Sequence, residues 1–256
     1  MIKNYNRVIR SLILVSTVAI GLSGCASLSM SPIEVTDDPH ESVNRKVHGF
    51  NKALDKNFIR PVSAGYTAVV PLEFQVLVSN FSNNLSLPAS VVNKLLQGDI
   101  PDAASNAARF ALNSTLGLAG LFDPSVSFGL PSQQTDFGET LHVWNAPQGD
   151  YLELPVLGPS TERAALGFLF DLFTNPLGYQ LNSQQRVYRN GASAASILGL
   201  RSQYGSTIDT LLYGSADSYT QSRLIYLQNR NFTLGGNDKM EYSDPYFDPY
   251  GNGYAE

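Results

Sequence analysis

The chain has 256 residues, with 17 basic and 22 acidic side chains, one cysteine and a mean hydropathy of −0.10. That length can bury a core unaided, and a lone cysteine rules out an internal disulfide. The acid excess argues against nucleic acid, whose phosphates demand clustered lysine and arginine, and against a polybasic membrane anchor.

Lys3, Arg7 and Arg10 precede an apolar run from Leu12 to Leu22, and Leu22-Ser23-Gly24-Cys25 closes it. A basic start, a short apolar stretch and small residues before a cut predict a secretory signal peptide over residues 1–24. The run falls short of the roughly 20 residues that a spanning helix needs. Its ending resembles a bacterial lipobox, in which the Cys25 thiol is acylated and becomes the mature N-terminus. Removing residues 1–24 takes away three basic residues and no acid, leaving 14 basic against 22 acidic side chains, a net −8. Membrane attachment then falls to acyl chains, at about 0.8 kcal/mol per buried CH₂, and to apolar surface. Ala26 follows the cysteine. An aspartate there resembles an inner-membrane retention signal, so alanine points to the outer membrane of a two-membrane bacterium. The mature chain has no apolar run near 20 residues, which excludes a conventional spanning helix.

Residues 25–36 read as a short Ser/Pro linker. A first helix then begins, with Asp38 as cap, Pro39 in the first helical position and Glu41 three residues after the cap. Val43, Val47, Phe50, Leu54 and Phe58 follow at spacings of four, three, four and four, one apolar helical stripe, and Pro61 is expected to end it. A second helix is expected from Ala89 to Gln97 after Leu87-Pro88, stopped by Gly98. A third should run from Asp99 and Pro101 to about Leu116. Its Ala103, Ala104, Ala107, Ala108 and Ala111 allow close helix approach, whether within a membrane or in ordinary tight packing.

Residues 118–159 read as irregular, apart from a strand-like alternation over Tyr151-Leu152-Glu153-Leu154 bounded by Pro155. Gly158-Pro159-Ser160 reads as a turn, with Ser160 capping a fourth helix. Apolar residues from Ala164 to Phe173 cover nearly every face of that helix, so it is buried in protein or in lipid. Thirteen residues would span about 20 Å, more than the roughly 15 Å of one leaflet's hydrocarbon and less than two. Two further helices are expected, near Gln184–Leu198 and Thr207–Arg230, with Gly214 a candidate break. Residues 236–256 carry Asp238, Glu241, Asp244, Asp248 and Glu256 against Lys239, and repeat Asp-Pro-Tyr, which reads as a disordered acidic tail.

The chemical motifs of common enzymes are missing. There is no phosphate loop and no nucleophile elbow. The histidines His40, His48 and His142 lack zinc-ligand spacing, so no metal site is expected and exposed or capping roles are. Asp37, Asp38 and Glu41 suit a helix N-terminus better than acid–base work. No cofactor is implied. What stands out is asparagine and arginine near helix ends: Asn44-Arg45, Arg60-Pro61, Asn80-Phe81 and Arg109 with Asn113. The arginines can pair with carboxylates and fix helix ends, or hold lipid phosphates; spacing favours the structural role.

These strings carry a resemblance. Asp38-Pro39-His40-Glu41-Ser42-Val43-Asn44-Arg45, Phe50-Asn51, Arg60-Pro61-Val62 and Asn80-Phe81 occur in order. Leu95-Leu96-Gln97-Gly98, Arg109-Phe110, Asn113, Gly117-Leu118-Ala119-Gly120, Asp136-Phe137-Gly138-Glu139-Thr140-Leu141 and Gly158-Pro159-Ser160 continue the series, and Tyr226-Leu227-Gln228 and Arg230 close it. Together they resemble the MlaA/VacJ family of outer-membrane lipoproteins over roughly residues 37–235. The chain departs from that pattern at Gly149-Asp150-Tyr151, where the family usually has Gly-Pro-Tyr. It departs again at Arg163-Ala164, where Arg-Asp is common.

The resemblance implies a mainly α, compact and ring-like helical bundle whose amphipathic helices lie in one membrane leaflet, with few or no short strands. It implies a passive phospholipid conduit and no enzyme. Its implied partners are phospholipids, a trimeric outer-membrane porin and a soluble periplasmic lipid carrier. The site residues it singles out, as structural or lipid-contacting, are Asn44, Arg45, Asn51, Arg60, Pro61, Asn80, Phe81, Arg109 and Asn113, with Cys25 as the lipidated residue. The competing expectation is a lipoprotein that scaffolds porins or envelope contacts and moves no lipid.

Overall fold

A computed structural model describes residues 38–235. The signal peptide, Cys25, the linker and the acidic tail lie outside the described residues. The described region is mainly α-helical, with one two-stranded sheet.

Helix α1 spans Glu41–Leu54. It starts two residues later than expected. His40 is the cap residue, and Asp38 acts from outside by accepting from the His40 amide at 3.1 Å. Pro61 does not end the helix. A wide turn at Asp55–Ile59 passes directly into α2, Arg60–Val69, with Pro61 in its first turn. There the amide that proline lacks falls where the regular ladder is already interrupted.

Helix α3 runs from Leu72 to Leu96, with Pro88 inside it. The expected start at Ala89 is therefore wrong. Its upstream half is rich in asparagine and serine, weak helix formers, and owes its helicity to packing against neighbours. Helix α4, Ile100–Thr115, matches expectation, and Asp99 caps it by accepting from the Asp102 amide at 3.2 Å. The stretch expected to be irregular contains a single-turn helix, Pro124–Phe128, and helix α5, Phe137–Val143, which Asp136 caps.

Strands β1, Tyr151–Leu154, and β2, Gly158–Thr161, pair antiparallel with Tyr151 opposite Thr161 and Leu154 opposite Gly158. Gly158-Pro159-Ser160 is thus strand and not turn. Thr161, not Ser160, caps α6, Glu162–Thr174, by accepting from the Ala164 amide at 3.3 Å. Then come α7, Leu177–Gln180, and α8, Ser183–Gln203, which opens on an Asn182–Gln185 capping box. The last expected helix is two: α9, Gly205–Asp209, and α10, Ser218–Thr233, separated by a wide turn that ends at Gly214. Helix α3 packs on α4 and α8, α2 on α8, α5 on α6, and α1 on the hairpin.

No single described helix is long and apolar enough to cross a membrane. The segments Glu41–Val69 and Leu72–Leu96 together would be, but they are bent by 118° where they meet.

The burial pattern is inverted. Among the described residues the buried apolar side chains are Leu87, Ala103, Phe137, Tyr151, Tyr219 and Leu227, while buried polar and charged ones are far more numerous. The apolar stripe of α1 faces outward, with Val43, Phe50 and Phe58 all exposed. Helix α6 is not a core helix either: Leu166, Leu169, Leu172 and Phe173 are exposed, Phe173 at 71%. Exposed apolar surface on this scale marks a face that meets something other than water.

Candidate functional site: a polar interior

Three helices bury polar residues at helical spacing. On α1 these are Asn44 and His48, with half-buried Asn51 and, in the wide turn that follows, Asp55 continuing the line; on α3 Asn84, Ser90, Asn93 and Lys94; on α4 Asn106, Arg109 and Asn113. A stripe at steps of three and four faces one neighbour, whatever its polarity. Here the stripe that faces inward is polar.

Where α3 and α4 meet the loop after α4, they line a half-open cavity of about 340 Å³. Asn80, Asn83, Asn84 and Leu87 of α3, Arg109 and Asn113 of α4, and Asp123, Ser132 and Gln134 of the loop line it. The Arg109 guanidinium donates to the Leu130 carbonyl and to Asp123 Oδ2, both at 2.5 Å. Asn113 donates to Asp123 Oδ1 at 2.9 Å and accepts from the Ser125 amide at 3.3 Å. Burial works to raise the Asp123 pKa; bonds from Ser125 and Asn113 and the charge of Arg109 outweigh it and hold the carboxyl below its ordinary range. Asn106 clamps the same loop, donating to the Gln133 carbonyl at 2.7 Å and accepting from its amide at 3.2 Å.

The lining is not fully satisfied from within. Among the described residues, the buried Asn84 Oδ1 and Arg109 Nε have no hydrogen-bond partner. Gly120, at φ +92°, lies so close to Asn84 that a Cβ there would come within 2.5 Å of its amide, which holds the asparagine in place.

The other residues singled out from sequence mostly knit the fold. Asn44 donates to the Tyr151 carbonyl at 3.0 Å and accepts from the Glu153 amide at 2.9 Å, so it ties α1 to β1. Asn51 continues the tie, donating to the Leu154 carbonyl at 2.9 Å and accepting from the Val156 amide at 2.7 Å. Arg45 is exposed and bonds Glu41 and Asp217. Arg60 pairs with Asp209 at 2.7 Å, and Asn80 donates to the Leu121 carbonyl at 3.1 Å at the cavity edge. Phe81 is half-buried on α3, and Pro61 sits in the first turn of α2. Arg163 is buried and donates to the Ala146 carbonyl at 2.9 Å.

Spacing did not reveal several residues that matter. His48 is buried, not exposed or capping as expected, between Glu153 at 3.4 Å and Ser218 at 3.1 Å. Asp55 and Arg201 form a buried two-pronged pair at 2.7 and 2.8 Å, with Tyr213 also donating to Asp55. Burial works against the Asp55 anion, and the bonds from Arg201 and Tyr213 prevail, so its pKa lies below the usual range. Asn93 links Asp171 and Thr140, on α6 and α5, at 2.9 and 3.2 Å.

Helices with polar inward stripes and apolar outward faces, none of them both long and apolar enough to span a membrane, define a helical protein with a polar interior and an apolar outer surface. The chain belongs to the MlaA lipoprotein family, whose model matches residues 36–233. It is 33% identical to the intermembrane phospholipid transport system lipoprotein MlaA of Escherichia coli over 90% of this chain and 92% of that protein. An uncharacterized protein of Rickettsia bellii is 32% identical over 77% of this chain and 76% of its own length. A solved structure from work on the structural basis for maintenance of bacterial outer membrane lipid asymmetry superposes with a TM-score of 0.66 at 31% identity, covering 77% of this chain and 99% of that one.

Proposed function

We propose that this chain is an outer-membrane lipoprotein, anchored through acylated Cys25, that provides a passive conduit for phospholipids. It removes mislocalised phospholipids from the outer leaflet and hands them to a soluble periplasmic carrier. The single observation that carries this reading is the inverted burial: apolar residues outward on α1, α3 and α6, and a polar cavity of about 340 Å³ within. Acyl tails stay with the apolar outer surface while headgroups pass a wall of amides and one arginine, which replace the water they leave. The names of the Escherichia coli and Haemophilus influenzae relatives, and the lipid-asymmetry context of the matched structure, support the same reading.

In this reading the helices rest in one leaflet, arranged around the polar passage, and a trimeric porin is the membrane partner that apolar flanks would meet. A deletion strain supplies the test. Surface-exposed phospholipid should rise on deletion, fall with wild-type complementation and stay high with Cys25→Ala. Unchanged surface phospholipid, in a strain without a paralogue, leaves the scaffold role instead.

A further inference from the structure

His40, Asp150 and Glu162 come together from three segments: the start of α1, the loop before β1 and the first residue of α6. Their ligand-capable atoms all lie within 4.8 Å of one another. His40 Nε2 stands 3.3 Å from Asp150 Oδ2. Zinc bonds imidazole nitrogen and carboxylate oxygen at about 2.0–2.2 Å, so two ligands on a tetrahedron sit roughly 3.3 Å apart. The first pair already has that separation, and the Glu162 carboxylate, within 4.8 Å of both, would have to close in to join them.

The backbone holds this arrangement. The Glu162 amide donates to the Asp150 carbonyl at 3.0 Å. Gly149, at φ +69°, leaves the room that the Glu162 side chain occupies; a Cβ there would come within 2.2 Å of its Oε2. Asp150 is also the position where the chain departs from the Gly-Pro-Tyr of the resemblance. A cation between the two carboxylates would offset their mutual repulsion and give both a common partner. An imidazole nitrogen with two carboxylates suits zinc, whereas calcium takes six to eight oxygens. His40 and Asp150 are about half exposed, which gives the ion a path in and water a place as fourth ligand.

We infer that His40, Asp150 and Glu162 form a zinc site that clasps the entry of the domain to the hairpin and α6. The clasp is independent of lipid passage. The test is calorimetric titration of zinc into the acylated, tag-free, chelator-stripped chain in detergent. One zinc binds per chain, and affinity falls at least about 10-fold in His40→Gln and in Asp150→Asn with helix content unchanged. No saturable binding, or equal affinity in both variants, overturns the inference. X-ray absorption of the zinc-loaded wild type needs no variant: one imidazole nitrogen with oxygens supports the site, and a sulfur or multi-imidazole shell contradicts it.

Discussion

The residues that carry the interior are amides and ion pairs, each bonded across elements far apart in sequence. Asp55 and Arg201 are 7% and 8% exposed, so losing one partner strands the other charge away from water. Asp55→Asn should therefore cost about 3–5 kcal/mol of stability by denaturant titration in detergent, and Arg45→Gln, at an exposed pair, under about 1 kcal/mol. The pH dependence has a definite sign. Asp55, Asp123 and Asp136 all have depressed pKa values in the fold. Their stabilisation is present above the unfolded value of about 3.9 and is lost as pH falls through the folded values. His142 is also depressed, chiefly by burial and then by the charge of Arg163, so it adds a gentler loss that begins below about 6.5. The melting temperature should sag from pH 6.5 to 5 and drop steeply below 4. His142→Asn should remove the first decline and keep the second.

At the scale of elements, helix existence was often legible, the exact cap only at Asp99, and sidedness was not. Asp99 with Pro101 announced α4, and the apolar run after the Gly-Pro-Ser string announced α6 although its cap was misplaced by one residue, because such signals are local. The Val43–Phe58 stripe was legible as a stripe, but periodicity reports a shared face and not what that face meets. The polar counterpart, Asn44, His48, Asn51 and Asp55, was the inward one. Most of α3 was missed because its asparagines and serines speak against a helix locally, while the bonds that hold them lie elsewhere in the chain. The cavity was half visible: Asn80, Arg109 and Asn113 stood out, but Asp123 and Gln134 join them only through the fold. Helix α6 offers the element-scale prediction. Leu172→Gln with Phe173→Gln, at 60% and 71% exposure, should leave helix content unchanged and reduce binding to phospholipid vesicles several-fold. Asn93→Leu should do the opposite, sparing vesicle binding and costing about 1–3 kcal/mol by removing its bonds to Asp171 and Thr140 in a buried setting.

For the whole molecule, the inverted burial joins fold to function. A water-facing protein with these outer faces would aggregate, and a lipid-facing one without the polar interior would be an inert plug. The same distribution explains why no described helix passes as a membrane span: α3 and α8 have the length, but each carries polar residues along one face. The central claim is that headgroups travel the polar cavity while tails stay outside it. Its most direct measurement places a photo-crosslinking residue at Asn83 or Gln134, both on the cavity wall, in a chain that still restores outer-membrane asymmetry. Irradiation of cells with labelled phospholipid should attach label at both positions. Absence of lipid there, with crosslinking confined to outer-face positions such as Phe173, would contradict the account.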